Sequence, residues 1–427
     1  MFTVLNNSWA LFLGMMLLMV GNGMQGTLLG IRGEIEGFSA FEISIVMSAY
    51  FAGFFGGTRA TPEMLRRVGH VRVFAALGSL ISAVLIVFPV FANPVVWILG
   101  RFVLGFAFSG VYVTAESWLN NASTNETRGK TLSIYVLVQM IGIVLAQGLM
   151  TISDPAGYEL FILPSILVSI AFAPILLSVT PTPVFETTKP MTLRALFVIS
   201  PLGCVGVFLL GGVYAAQFGM SAVFGAQNDL SVSQISLFVA SFYIGATVFQ
   251  YPVGWISDRI DRRMLIAIVA ALAGVGAVLG ILSGGEYKTL LISAAAVGGM
   301  SNPLYALLLA HTNDFLEYED MAAASGGLLF INGLGAFLGP MVIGWLMGRF
   351  GPSAFFYVLA TLLFAMGLYA LFRMTRRAAI AVDDTTAYAP VLPTNTAVFV
   401  EAAQDYVYET ALEEENEATD TDTSETK

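Results

Sequence analysis

Apolar residues run along this chain in stretches long enough for a helix to cross the hydrocarbon core of a bilayer, and short polar breaks separate them. Twelve windows meet the length of about 20 residues, at roughly 8–29, 41–62, 72–92, 95–118, 131–152, 159–180, 196–220, 233–257, 264–284, 289–311, 322–348 and 353–374. The pattern predicts an all-α polytopic membrane protein of twelve transmembrane helices, with both termini on one side. The longest break follows the sixth window and holds Pro181, Pro183, Lys189 and Pro190. Proline stops a helix and biases the residue before it towards extended backbone. That break is therefore expected to link two six-helix bundles, residues 1–180 and 196–377, through a linker at 181–195.

Composition agrees with lipid as the main solvent. The chain is 57% hydrophobic and 11% charged, against about 25% charged in soluble domains. The net charge of −10 is unevenly placed. Twelve Asp or Glu and one Lys lie in 378–427, so the remainder is close to neutral. With Pro390, Pro393 and Glu413-Glu414-Glu415, that segment reads as an acidic, disordered tail. Within it a short helix around Val398–Leu412 is an alternative, with Val400, Val407 and Tyr408 on its apolar face.

Charge also orients the chain. The loops on the side of the termini hold fourteen Lys or Arg, and the opposite loops hold only Arg32, Lys288 and Arg349. The positive-inside rule then places both termini in the cytoplasm and the protein in the cell (inner) membrane. The first apolar stretch follows no Lys or Arg and is too long for a cleaved signal, so it is expected to stay as a span.

Several chemistries lack material. One cysteine, Cys204, and two histidines, His70 and His311, leave almost no ligands for a metal site, and none is expected. No G-x-x-x-x-G-K-S/T run occurs, so ATP hydrolysis by this chain is not expected, nor is any cofactor. Neither nucleic-acid binding nor enzymatic activity is expected.

An internal repeat fits the two-bundle plan. A shift of 192 residues places Asn22 on Tyr214, Gln25 on Gln217 and Arg67 on Arg259. The basic loops carry a more specific signal. Gly254, Asp258, Arg259, Arg262 and Arg263 follow the spacing G-x-x-x-D-R-x-G-R-R, with Asp261 in place of the second glycine. Arg66-Arg67-Val68-Gly69-His70 keeps the basic pair, but Pro62 and Arg66 replace the first glycine and the aspartate. Arg101-Phe102-Val103-Leu104-Gly105 is similar to an R-x-x-q-G pattern without its glutamine. Over about residues 8–377 these features resemble the major facilitator superfamily (MFS). Glu116-Ser117-Trp118-Leu119, with Pro303-Leu304-Tyr305 and His311-Thr312-Asn313-Asp314, resembles a little-characterised bacterial branch of it. The fifth span, Gly142 to Gln147, lacks the G-P pair of drug antiporters, whereas Gly335–Pro340 in the eleventh carries one.

The resemblance implies a transporter of two bundles that rock about a central site lined by spans one, four, seven and ten. It implies that Asp258 faces the start of span five, near Lys130 and Thr131, as a clasp. Arg259 is expected to pair with Asp314, and Arg66 or Arg67 with Glu116; Arg262 belongs to the same clasp. Glu319 and Asp320 are placed to meet the dipole of span eleven.

Polar residues inside the spans supply the candidate pathway. Arg101 lies about 9 Å from the middle of span four at 1.5 Å per residue. An intramembrane charge is costly and faces a cavity or a partner, or snorkels. Glu116 lies about 22 Å further along that helix, too far for a direct pair. Asn22 with Gln25, and Tyr214 with Gln217, share faces one turn apart. They serve either as substrate contacts or as interhelical hydrogen bonds. Asn302, Tyr305 and Asn332 are further candidates of this kind, and Gln139 and Gln147 fit either cavity or packing. Arg59 is read as a snorkelling residue. Glu116, Asp314 and His311 are the groups able to carry a proton.

The expected function is secondary active transport of a small molecule by alternating access, coupled to protons, with efflux slightly favoured over uptake. The substrate is expected to be anionic, zwitterionic or neutral, because no acidic residue occupies the middle of spans one, four, seven or ten. A monomer in the lipid bilayer is expected. The alternative is a transporter-like membrane sensor that signals through its acidic tail.

Overall fold

The structure is a computed structural model that describes residues 2–123, 125–177, 191–377, 380, 385, 388–392 and 394–410. The linker prolines at 181, 183 and 190, and residues 411–427, lie outside the described residues. No strand occurs among the described residues. Among the described residues eleven helices are long and apolar enough to cross a membrane, and a shorter apolar helix supplies the remaining window.

The first bundle comprises α1 (Phe2–Ile35), α2 (Ala40–Val68), α3 (His70–Val90), α4 (Pro94–Ala122), α5 (Asn125–Leu149) and α6 (Glu159–Leu177). After a short α7 (Leu193–Ile199), span seven is α8 (Pro201–Ala215), a π turn (Ala216–Met220) and α9 (Ser221–Gln227). Then come α10 (Val232–Ser257) and α11 (Arg262–Leu282). Span ten is split into α12 (Tyr287–Ser301) and α13 (Pro303–Asn313), and α14 (Tyr318–Phe350) and α15 (Ala354–Met374) complete the second bundle. A further helix, α16, covers residues 397–410. Below, the near face is the end where α1 begins and α15 ends; the far face is the opposite end.

The 192-residue repeat extends to details that composition does not reveal. Ser39 caps α2 in a capping box with Glu42, and Ser231, 192 positions later, caps α10 in a box with Gln234. Each box satisfies two of the free amide donors that a helix start exposes. The crossing of α2 on α4 is equally repeated. A Cβ on Gly53 would lie 1.8 Å from the Phe102 carbonyl oxygen, and one on Gly105 would lie 1.9 Å from that of Tyr50. In the second bundle Gly245 meets the Ala295 carbonyl at 2.1 Å, and Gly298 meets that of Phe242 at 2.1 Å. Small residues let membrane helices approach backbone to backbone. In the first bundle this brings Tyr50 against the helix that carries Arg101.

The bundles meet at the far face. Gly30 of α1 faces Ala222 and Val223 of α9, and Gly344 of α14 faces Ser44 of α2. At the near face the bundles part, and residues 388–392 and 394–410 fill the gap. Val391, Phe399, Val400 and Ala402 are buried there. This departs from the disordered tail expected from composition. The acidic residues that set that composition lie mostly beyond residue 410, while 388–410 carry enough apolar side chains to pack.

Candidate functional site

Between the bundles lies a cavity of about 620 Å³. Its inner wall is built from Asn22, Gln25 and Arg101 on one bundle and Tyr214, Asn302 and Asn332 on the other. Arg101 is 3% exposed. Its guanidinium lies over the Tyr50 ring, 4.7 Å from the centroid. It donates to the Gln25 side-chain oxygen and, at 3.3 Å, to the Met47 sulfur. Its Nε has no partner among the described residues.

The neighbours form one neutral network. Gln25 donates to Asn22 Oδ1 at 3.0 Å, Tyr50 donates to the same oxygen at 3.2 Å, and Asn22 Nδ2 donates to the Tyr112 hydroxyl at 2.8 Å. No carboxylate pairs with Arg101 among the described residues. A buried cation without a counter-charge is costly unless an anion reaches it. Aromatic side chains share the cavity with this charge: Phe54, Phe55, Phe218, Tyr243 and Phe330 line it.

The opposite wall is built where two helices lose regularity at one depth. Span seven widens into the π turn at Ala216–Met220, and span ten breaks at Asn302, ahead of Pro303. Proline has no amide hydrogen to give the helix. The Tyr214 hydroxyl closes part of the break by donating to the carbonyls of Ser301 and Asn302, at 3.3 and 3.1 Å. Irregular helices of this kind recur at transporter sites and functional bulges.

Two expected pathway residues lie elsewhere. Gln217, inside the π turn, is fully buried and donates to Ser301 Oγ at 2.7 Å, behind the cavity wall. The 192-residue equivalence with Gln25 holds in sequence, but the wider turn changes the face that Gln217 presents. Tyr305 is fully buried outside the cavity wall, and its hydroxyl has no partner among the described residues. Asn332 lines the cavity while donating to the Val207 carbonyl at 2.9 Å, and Gln147 lines it while accepting from Thr27 at 3.0 Å. Gln139 accepts instead from Thr394 at 3.2 Å. Arg59, read from sequence as snorkelling, lines the cavity towards the near face.

The charged loops pair differently from expectation. Arg262, not Arg259, pairs with Asp314, and both side chains are buried. Asp261 accepts from the backbone amide of Arg263 and caps α11, so Arg262 opens the helix pointing inward. Arg259 stacks on Trp255, 3.9 Å from the ring, and donates to the Trp255 carbonyl. Arg66 and Arg67 pair with Glu63 one turn away on the exposed end of α2 and do not reach Glu116. Asp258 accepts from the Tyr388 amide at 2.9 Å, with Arg262 at 3.6 Å, so the tail takes the place expected for the start of span five. His311 is buried, with its ring edge-on to Phe315.

Glu116 is 2% exposed and has no basic partner among the described residues. Tyr135 donates to it at 3.2 Å, Asn395 at 3.4 Å and the Thr396 amide at 3.0 Å, and the Thr396 hydroxyl donates as well. Sequence reasoning missed Tyr50, Tyr112, Tyr243 and this tail contact. An aromatic inside an apolar span carries no sign of the cavity, and a signal for the tail existed only in its scattered apolar residues.

Comparison with known proteins gives one family. A sequence profile of the Major Facilitator Superfamily matches residues 11–227 and again residues 202–400. An uncharacterized MFS-type transporter, YcaD, from Salmonella arizonae is 23% identical over 358 residues, 83% of this chain and 92% of its own. YcaD from Escherichia coli O139:H28 is 23% identical over 355 residues, covering 82% and 91%. Among solved structures, the nucleoside transporter NupG is similar with a TM-score of 0.69 at 17% identity, covering 87% of this chain and all of that one. A bacterial homolog of the human lysosomal transporter Spinster, inward-facing and occupied, has a TM-score of 0.68 at 15% identity, covering 90% and 98%. At these identities the structures establish likeness of fold.

Proposed function

The chain belongs to the major facilitator superfamily, and we propose that it is a proton-coupled secondary transporter of small organic anions with an apolar or aromatic body. The observation that carries the substrate class is Arg101, a buried cation at the cavity wall whose Nε has no partner, and which has no carboxylate partner, among the described residues. An anionic head would complete its hydrogen bonds, while Phe54, Phe218 and Tyr243 would face the body of the molecule. Asn22 and Gln25 orient the head from one bundle, and Asn302 and Asn332 from the other. Contacts from both bundles let one ligand sense their relative position, as alternating access requires.

Glu116 is the proposed proton carrier, since it is a buried carboxylate served by neutral donors. Asp314 is committed to Arg262 and serves the clasp. The excess of basic residues supports the cytoplasm for the near face.

The test is binding first and flux second. Purified protein is screened by thermal shift against aromatic and aliphatic monocarboxylates, matched with their amides. Binding of acids over amides, lost in Arg101→Gln, is the expected result. Equal affinity for acid and amide would sink the assignment. Proteoliposome uptake with and without a pH gradient then reads the coupling. Glu116→Gln is expected to retain exchange and lose gradient-driven accumulation.

A further inference from the structure

We propose that residues 388–392 and 394–410 form an intramolecular plug, docked in a preformed seat between the bundles at the near face of the cavity, and that transport requires the plug to leave.

The seat has parts on both bundles. On the first, Glu116 receives Thr396 and Asn395, and Gln139 receives Thr394. Arg128 at the start of α5 pairs with Glu409 at 3.1 Å, and Phe399 stacks on Tyr135 at 5.5 Å. On the second bundle, Asp258 receives the Tyr388 amide and Gln250 donates to the Tyr388 hydroxyl at 2.9 Å. Tyr318 of α14 donates to Asp405 at 2.6 Å and stacks on Tyr408 at 4.1 Å, while Gln404 donates to Ser325 at 2.7 Å.

Two glycines fit the helices to this segment. A Cβ on Gly129, in the first bundle, would meet the Tyr406 ring at 2.3 Å; one on Gly254, in the second, would meet the Tyr388 ring at 2.6 Å. In both cases the three nearest atoms belong to the tail tyrosine. Each notch is therefore filled from the tail, and one lies on each side of the gap.

Leu392, Thr394, Thr396, Val398 and Glu401 form part of the cavity wall, so the segment stands in the route from the near face to Arg101. Being held by both bundles, it also stands between the surfaces that must come together when the near face shuts. The consequence for transport rests on the reading above; the docking itself does not.

Accessibility tests the docking without knowledge of the cargo. Cys204 is buried and is replaced by serine, and Gly326→Cys supplies a label site on the cavity wall where the structure leaves open space. Gly129→Leu with Gly254→Leu occupies both notches with residues that suit helices. Thr396→Val, in a separate chain, removes the hydroxyl contact to Glu116 without adding bulk. Labelling by a charged maleimide is expected to quicken about tenfold in either variant relative to the full-length parent, the factor that about 1.4 kcal/mol represents. Unchanged rates in both variants would overturn the plug. A Ser325→Cys, Gln404→Cys pair tests position: the two side chains meet in the docked segment, so a short bismaleimide should join them in the full chain, and failure to cross-link would equally overturn it. If labelling and cross-linking behave as expected but proteoliposomes show no flux with any substrate, the transport reading fails and the docking stands.

Discussion

The Arg101 guanidinium lies over the Tyr50 ring, 4.7 Å from its centroid, and this contact joins α4 to α2 at the depth where both bundles face the cavity. Delocalised charge on an aromatic face is weakly hydrated and planar, features that lysine lacks. Arg101→Lys is therefore expected to keep the charge and lose the geometry. Loss of one charged hydrogen bond is worth about 1.5–3 kcal/mol, so anion binding should weaken by about 10- to 100-fold. Isothermal titration on purified protein reads this. Tyr50→Phe keeps the ring and loses the hydroxyl with its bond to Asn22, so its deficit should be the smaller; the reverse order would refute the arrangement.

The buried pair of Arg262 and Asp314 ties the start of α11 to the end of α13. Removing one member leaves a buried charge without its partner, which typically costs about 3–5 kcal/mol. Asp314→Asn and Arg262→Met should each lower the thermal midpoint in detergent, and the double variant should recover part of the loss. Arg259→Ala, which removes an exposed stack on Trp255 and a bond to that residue's own carbonyl, should change the midpoint little. If Arg259→Ala is the more damaging, the pairing is wrong.

Those pairings show what the sequence could and could not carry. Span lengths, the repeat and the isolated charge of Arg101 follow from spacing and from the cost of charge in lipid, and the helices and cavity agree with them. The partner of Asp314 depended on helical phase at a loop boundary, which a signature of charged residues does not define. Arg259 and Arg262 differ by three positions, and Asp261 decides between them by starting α11 directly after itself. Gln217 was misplaced because a π turn leaves no mark in composition. In the tail, the helix offered as an alternative near Val398–Leu412 is present as α16 over the described residues; the disordered reading rested on charge that residues 411–427 dominate, while Val391, Leu392, Phe399 and Val400 contribute the packing.

Asp261, which stands where the resembled signature has glycine, offers a pH test. Burial works to raise its carboxyl pKa, but the Arg263 side chain and backbone amide outweigh that and hold it below its ordinary value. A folded-state pKa below the unfolded one contributes stability above the ordinary aspartate value of about 3.9. That contribution is lost as pH falls through the lowered folded value. Asp261→Ala also removes a helix cap, which costs about 0.5–2 kcal/mol. Its deficit in thermal midpoint should be full at neutral pH and should shrink on acidification below the carboxylate range. A deficit that is constant with pH would show that the carboxylate charge contributes nothing.

The glycine crossing of α2 on α4 carries the most severe expectation. At Gly105 a Cβ would lie 1.9 Å from the Tyr50 carbonyl oxygen and 2.9 Å from the Phe54 amide nitrogen, and backbone cannot move aside as a side chain can. Gly105→Val must therefore push α2 away from α4, and with it Tyr50 away from Arg101. Gly348 provides the control, since nothing lies within 4 Å of its Cβ direction. Gly348→Val should yield parental amounts of monodisperse protein by size-exclusion chromatography, whereas Gly105→Val should yield little or none. Gly298, which meets the Phe242 carbonyl in the second bundle at 2.1 Å, should behave like Gly105 because it occupies the repeated crossing. Tolerance at Gly105 together with intolerance at Gly298 would mean that the bundles share their helices without sharing this contact.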